Sequence, residues 1–152
     1  MLFSKLPRLS MVVFLLILGS ACGPIGPIPG GKLAGALQSL PLSWQELAAQ
    51  KIVQIETQVG FPQSYNIWAV SVQDEIYIAA AAGNNTSWVQ SVLRNPRITI
   101  KISGNLYSLI AERVEGTVAL KELVYKRYNE KYDLSQIDQS SDDMWLFRLR
   151  RT

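Results

Sequence analysis

The stretch "AAAAGNNTSWVQSVLRNPRITIKISG", Ala79 to Gly104, decides how the rest of the chain is read. Its run of small residues ends at Gly83 and Asn84, where a backbone can turn closely. From Thr86 to Arg94, Trp88 and Val92 share one helical stripe, and Val89 and Leu93 share the next. Asn95-Pro96 stops that helix, because proline disfavours helical backbone in the residue before it. Ile98, Ile100 and Ile102 then alternate with Thr99, Lys101 and Ser103, which predicts a strand with one apolar and one wet face. A helix this short and this apolar has to lie against a sheet.

Upstream, "PLSWQELAAQK" predicts a short helix with Ser43 as its cap and Glu46 three residues on, and "KIVQIETQ" changes to a strand pattern. The β-branched and aromatic run "YNIWAVSVQ", a turn at Asp74-Glu75 and the returning "IYIAAAA" read as a hairpin. Downstream, Gly104-Asn105 turns the chain into "LYSLIAERVEGTVA", a second hairpin. A further helix runs from about Leu120 to Tyr132, "DLSQIDQSSDD" is a polar loop, and "MWLFRLR" closes the chain with Trp145, Phe147 and Leu149 alternating with Leu146, Arg148 and Arg150. The order is strand, hairpin, helix, hairpin, helix, strand. A mainly β chain with two or three short helices and about six antiparallel strands suits a closed or partly closed barrel, since closure removes edges that would otherwise aggregate.

The first residues stand apart from this domain. Lys5 and Arg8 precede an apolar run from Met11 to Leu18 that ends in "GSAC", the order of charge, apolar core and small residues of a secretory signal. The run is short of the roughly 20 apolar residues that span a bilayer. It resembles a bacterial lipoprotein signal, with Ser20 and Ala21 before Cys22, the only cysteine in the chain. That resemblance implies a signal over 1–21, a lipid anchor on Cys22 and a bacterial cell-envelope location. "GPIGPIPGGKLAG" reads as an extended tether over 22–40, followed by one domain over 41–152. Removing residues 1–21 takes Lys5 and Arg8 from the 15 basic residues and leaves 13 against 12 acidic ones. The high pI therefore reports the targeting segment, and a nucleic-acid partner loses its electrostatic argument.

The chain contains no histidine, which excludes a Ser-His-Asp triad, a Cys-His pair and histidine metal sites. The acidic pairs Asp74-Glu75 and Asp142-Asp143 lack the spacing of a metal loop and read as solvated turns. What remains is a fold holding a ligand that brings its own reactivity. The start of the central helix is the place: Gly83 and Asn84 for the close turn, Asn85 or Thr86 as the cap, and free amides that favour an anion. The same "GNNTS" also reads simply as a loop and cap. Trp88 either stacks on a planar ring or packs in the core, and Lys101 either pairs with phosphate or is solvated. Glu56 would repel phosphate if its strand turned it inward and would be ordinary surface if outward.

With "IYIAAAAGNNTSWVQSVLRNPRITIKISG" at its centre, the order of elements resembles the split β-barrel superfamily of pyridoxamine-phosphate-oxidase-like and deazaflavin-dependent nitroreductase-like proteins. Tyr77, Trp88, Leu93, Asn95, Pro96 and Ile98 carry the resemblance, which covers about Lys51 to Arg150. "PGGKLAG", "IET" and "SYNIW" give a narrower likeness to bacterial lipoprotein-like members, in which the end of the tether belongs to the fold. The resemblance implies a six-stranded antiparallel split β-barrel, a homodimer, and a cofactor of the flavin type, FMN or deazaflavin, serving an oxidoreductase. It places that cofactor at Thr57, at Ala81, Ala82, Gly83, Asn84, Asn85, Thr86, Ser87 and Trp88, and at Lys101. The departure is the turn "TQVGFPQSYN", which has no Lys or Arg where deazaflavin binders carry a basic turn. That loss favours the alternative of a non-catalytic module that has lost the cofactor and binds another small molecule or a protein.

Overall fold

The computed structural model describes residues 23–115, 117–134 and 144–152. The signal segment, Cys22 and most of the polar loop after the last helix lie outside the described residues. Among the described residues, seven strands and three α-helices follow in the order α1 (Gln45–Ala49), β1 (Val53–Val59), β2 (Phe61–Ile67), β3 (Ala69–Val72), β4 (Glu75–Ala80), α2 (Ser87–Arg94), β5 (Arg97–Ile102), β6 (Asn105–Arg113), α3 (Val118–Tyr132) and β7 (Trp145–Arg151). They form one antiparallel sheet ordered β2-β1-β5-β6-β7-β4-β3.

That order dictates the shape. β2 and β3 are opposite edges of the sheet, and seven flat strands would hold them about 29 Å apart at ~4.8 Å per spacing. The chain joins them through Trp68 alone, a reach of about 7 Å. The sheet is therefore curled until its edges meet at one corner, which makes a split barrel. Six expected strands become seven because "YNIWAVSVQ" is not one strand: Ile67 ends pairing with Val53 in β1, and Ala69 begins pairing with Ile78 in β4.

The inner face is apolar. Val53, Ile55, Ile76, Ile78, Ile98, Ile100, Leu109, Phe147 and Leu149 fill it, with Val89 and Val92 of α2 closing one end and Leu47 of α1 another. A second cluster, of Val70, Val72, Tyr77 and Leu146 with Val124 and Tyr128, seats α3 on the outside of β3, β4 and β7. The helix stop is as read. Asn95 leaves helical backbone, donates its Nδ2 to the Gln58 carbonyl at 3.0 Å and accepts the Arg97 amide at 3.1 Å, so "NP" also ties α2 to β1 and β5.

Two turns fall one residue earlier than expected, at Gln73-Asp74 and Ser103-Gly104, each with positive φ at both positions as two-residue hairpins require. Glu75 is thus a strand residue, not solvated turn. Its carboxylate lies 3.3 Å from Arg148, which also pairs with Glu112 at 2.8 Å. Trp44, rather than Ser43, occupies the α1 cap position, because its buried ring packs edge-on against Tyr107.

Residues 23–40 lie along the barrel. Gly30 exchanges two backbone bonds with Ser64 on the free edge of β2 (2.8 and 2.9 Å), and Gln38 and Ala36 bond Leu106. Leu33 is buried, and its amide donates to Glu56 Oε2 at 2.6 Å. Glu56 is therefore neither in the barrel interior nor on open surface: it projects from the outer face and is only 4% exposed beneath this strap. Ser64, its partner across the strands, is fully buried there with an unpartnered hydroxyl.

Candidate functional site

The corner at Trp68 is held by α3. The Trp68 ring is stacked on Tyr132, with centroids 4.8 Å apart and planes inclined by 12°. The Tyr132 hydroxyl accepts the Ala69 amide at 3.0 Å and donates to the Ala69 carbonyl at 2.9 Å. The Tyr128 hydroxyl lies 3.1 Å from the Trp68 carbonyl and 3.0 Å from that of Tyr77. Lys131 Nζ donates to the carbonyls of Ala69 (2.7 Å) and Leu47 (2.8 Å), tying α1 to the same corner. Burial pushes the Tyr128 and Tyr132 hydroxyls above the ordinary phenol range and brings Lys131 down to about 8.

Beside this corner opens a groove of about 430 Å³, lined by Ile52, Asn66, Ile67, Trp68, Ala79, Ala80, Ala81, Ala82, Thr86 and Trp88. Its volume falls within the roughly 300–1,000 Å³ of small-molecule sites. The alanine run contributes four small lining residues, although Ala79 and Ala80 belong to opposite faces of β4. Ile52 and Asn66 also line an adjoining cleft of about 200 Å³ that includes Gln50, Gln54, Lys101 and Ser103. Lys101 is the one charged side chain of the two. A larger cleft of about 600 Å³ lies between α1, β3 and α3, but Asp74, Arg127, Glu130 and Lys131 give it mixed charge and it has no exposed aromatic wall.

The residues expected from sequence separate into three groups. Ala81, Ala82, Thr86 and Trp88 line the groove, and Lys101 lines the adjoining cleft. Gly83, Asn84, Asn85 and Ser87 line neither: Gly83 is buried in a 3-10 turn, Asn85 and Ser87 are exposed, and Asn84 accepts Gln90 Nε2 through both its carbonyl and its side chain at 2.6 Å. Thr57 is on the other face. It shares the inner side of β1 with Val53 and Ile55, whereas Lys101 stands opposite Gln54 on the outer side. The Thr57 hydroxyl donates to the Gln63 carbonyl at 3.4 Å, near Tyr65 beneath α2.

Thr86 holds the cap position of α2, yet its side chain makes no capping bond, so the first-turn amides keep their capacity for another acceptor. Trp88 is a core residue, 5% exposed and edge-on to Phe147 at 5.1 Å. The exposed aromatic wall is Trp68, at 43%, with Ile52 at 54%. Sequence reading missed Trp68, Asn66 and Ile52, and the exposure of an aromatic inside an apolar run was the one signal, visible only after the run divides. None of Arg94, Arg97 and Arg113 lines the groove or the adjoining cleft. Arg94 bonds the Gln90 carbonyl, Arg97 is exposed at the start of β5, and Arg113 lies 3.6 Å over the Trp145 ring.

Residues 45–152 match the family described as "Uncharacterized protein conserved in bacteria" (DUF2255). The chain belongs to this family. A search of curated proteins finds no match for this DUF2255 chain. Among solved structures it is similar to a protein from Listeria innocua named as a candidate pyridoxamine 5'-phosphate oxidase, at 15% identity and a TM-score of 0.54 over 68% of this chain and 86% of that one. It is similar to HutZ, the heme storage protein of Vibrio cholerae, at 18% identity and a TM-score of 0.57 over 71% and 87%. It is also similar to an F420-H2 dependent reductase, at 20% identity and a TM-score of 0.56 over 66% and 95%. At these identities the likeness is one of fold, and the fold is the split barrel of pyridoxamine-phosphate-oxidase-like proteins.

Proposed function

We propose that this protein is an envelope-anchored split-barrel lipoprotein that holds a flavin-type cofactor, FMN or a deazaflavin, in the groove beside Trp68 and serves as an oxidoreductase. The observation that carries the proposal is the groove itself. The small residues of the alanine run leave room beside an exposed indole for a planar ring, and the cleft leading from it contains Lys101 and no acid. Hydride chemistry would belong to the bound ring. The chain's part is to stack the ring on Trp68, to offer Asn66 Oδ1 as an acceptor at its edge, and to meet a phosphate with Lys101 and the open amides of α2. The protein is a homodimer in this reading, and the mouth of the groove is left open by the chain itself.

Heme is a poorer occupant, since none of the groove's lining residues is a histidine, cysteine, methionine or tyrosine that would ligate iron. The reading as a binding module without cofactor is favoured by one specific observation: Lys101 is the one charged side chain lining the groove and its adjoining cleft. An absorbance spectrum with mass spectrometry of the released ligand, on protein from a host that makes both flavin and deazaflavin, separates the two. A stoichiometric chromophore supports the oxidoreductase. A colourless folded protein that binds neither FMN nor deazaflavin at high micromolar concentration refutes it.

A further inference from the structure

The segment read as an extended tether whose end belongs to the fold is held against the barrel from Gly23 onward. Asn66 donates Nδ2 to the carbonyls of Pro24 (3.3 Å) and Gly26 (3.1 Å), and Ile25 and Ile28 close the turn between them with two backbone bonds. Gly23 lies against Gln54. Asn66 and Gln54 are themselves lining residues of the groove and its adjoining cleft. A free tether of 18 residues would let the domain wander about 60 Å from an anchor at residue 22, whereas two residues to Pro24 allow about 7 Å. An acylated Cys22 would therefore bring a bilayer to the rim of the groove.

The surface at that rim suits a bilayer. Ile25 and Ile28 are 68% and 64% exposed, and Ile52 and Trp68 on the groove wall add two more exposed apolar side chains around Asn66. Lys101 lines the adjoining cleft, Lys131 holds the Trp68 corner, Lys32 and Lys51 lie close in sequence to Ile28 and Ile52, and residues 23–45 contain no Asp or Glu. Apolar tips among lysines, with a tryptophan at the boundary, match the headgroup region of an anionic membrane. We infer that the face bearing Ile25, Ile28, Ile52 and Trp68 lies on the phospholipid surface, with the mouth of the groove opening against the headgroups. This rests on the lipoprotein reading of Cys22 and on the groove described above, and it does not depend on which ligand fills that groove.

The lipidated full chain carries no free thiol, so an introduced cysteine can be labelled uniquely. Ile28→Cys and Ile52→Cys report the proposed face, with Lys51→Cys replacing the latter if it misfolds. Glu122→Cys, exposed on α3 ten residues or about 15 Å of helix before Tyr132, is the reference. In vesicles of phosphatidylcholine and phosphatidylglycerol, lipid-borne nitroxide should quench a fluorophore at positions 28 and 52 at least threefold more than at 122. Equal quenching, or stronger quenching at 122, would overturn the orientation, and so would mass spectrometry showing no lipid on Cys22. The absorbance spectrum of the same preparation reports separately on the flavin reading.

Discussion

Tyr132→Phe isolates the bond that closes the barrel at its corner. The substitution keeps the ring and its 4.8 Å stack on Trp68 and removes only the hydroxyl that serves both polar groups of Ala69. The Ala69 carbonyl retains Lys131 Nζ at 2.7 Å, so it stays satisfied. The amide does not. Ala69 is fully buried, and a buried donor left unpaired costs about 1–3 kcal/mol, which is the expected loss on urea unfolding at neutral pH. Tyr132→Leu removes the stack as well and should lose a further 0.5–1.5 kcal/mol or so. Hydrogen exchange supplies the local readout: the Ala69 amide should lose protection in Tyr132→Phe while the amides of β5 keep theirs. A stability change below about 0.5 kcal/mol with Ala69 still protected would mean that the corner is held by packing alone, and the reasoning would fail.

Lys131→Met tests the neighbouring group through pH. The folded protein releases the Lys131 proton near 8 and the unfolded chain releases it near the ordinary 10.5, so between those values the unfolded state binds more protons and stability rises with pH. Above about 10 the raised hydroxyls of Tyr65, Tyr77, Tyr128 and Tyr132 reverse the slope, because their contribution is lost as unfolded tyrosines ionise first. Unfolding of the wild type at pH 7.5 and 9.5 should show the rise, and the methionine variant should flatten it. Lys101→Gln should weaken FMN about 10- to 100-fold, the equivalent of one charge-assisted bond of about 1.5–3 kcal/mol, and leave riboflavin within about threefold; equal losses for both would place the phosphate elsewhere. Glu56→Ala leaves the buried Leu33 amide without its 2.6 Å acceptor and should cost about 1–3 kcal/mol, with faster proteolysis within residues 23–38 as the visible sign.

The parts legible in the sequence are those where a local pattern and the tertiary environment agree. α2, its stop at Asn95-Pro96 and the alternation of Ile98, Ile100 and Ile102 needed no knowledge of the rest of the fold. "YNIWAVSVQ" failed for the opposite reason: residues on both sides of Trp68 are equally good strand formers, and only curling of the sheet sends Ile67 to β1 and Ala69 to β4. The same division hid the exposed wall of the groove. The alternation of β1 places Thr57 and Lys101 on opposite faces, but a likeness of motifs names positions and does not record which way each strand faces. Glu56 could not be read either, since its cover comes from Leu33, 23 residues away in a segment with no period.

The strap and α3 share one physical task, and it explains why the groove is where it is. A curled sheet that does not close retains two edges, each a row of unpaired amides and carbonyls that must be covered or would template aggregation. The β2 edge is met by Gly30 at Ser64, a contact of main chain with main chain that asks little of side chains and suits a segment rich in glycine and proline. The β3 edge is too short for a strand partner and is met by side chains instead, with Tyr132 and Lys131 converging on Ala69. Between these two solutions lies Trp68, where the edges touch: Tyr132 covers one face of its ring, and the indole still remains 43% exposed. There the alanines of β4 and its following turn leave the barrel wall thin, and the groove is the opening left between two separately sealed edges. A ligand bound there would bridge both seals, so occupancy should raise the protection of the Ala69 and Ser64 amides together, and protection of only one would show that the groove touches a single edge.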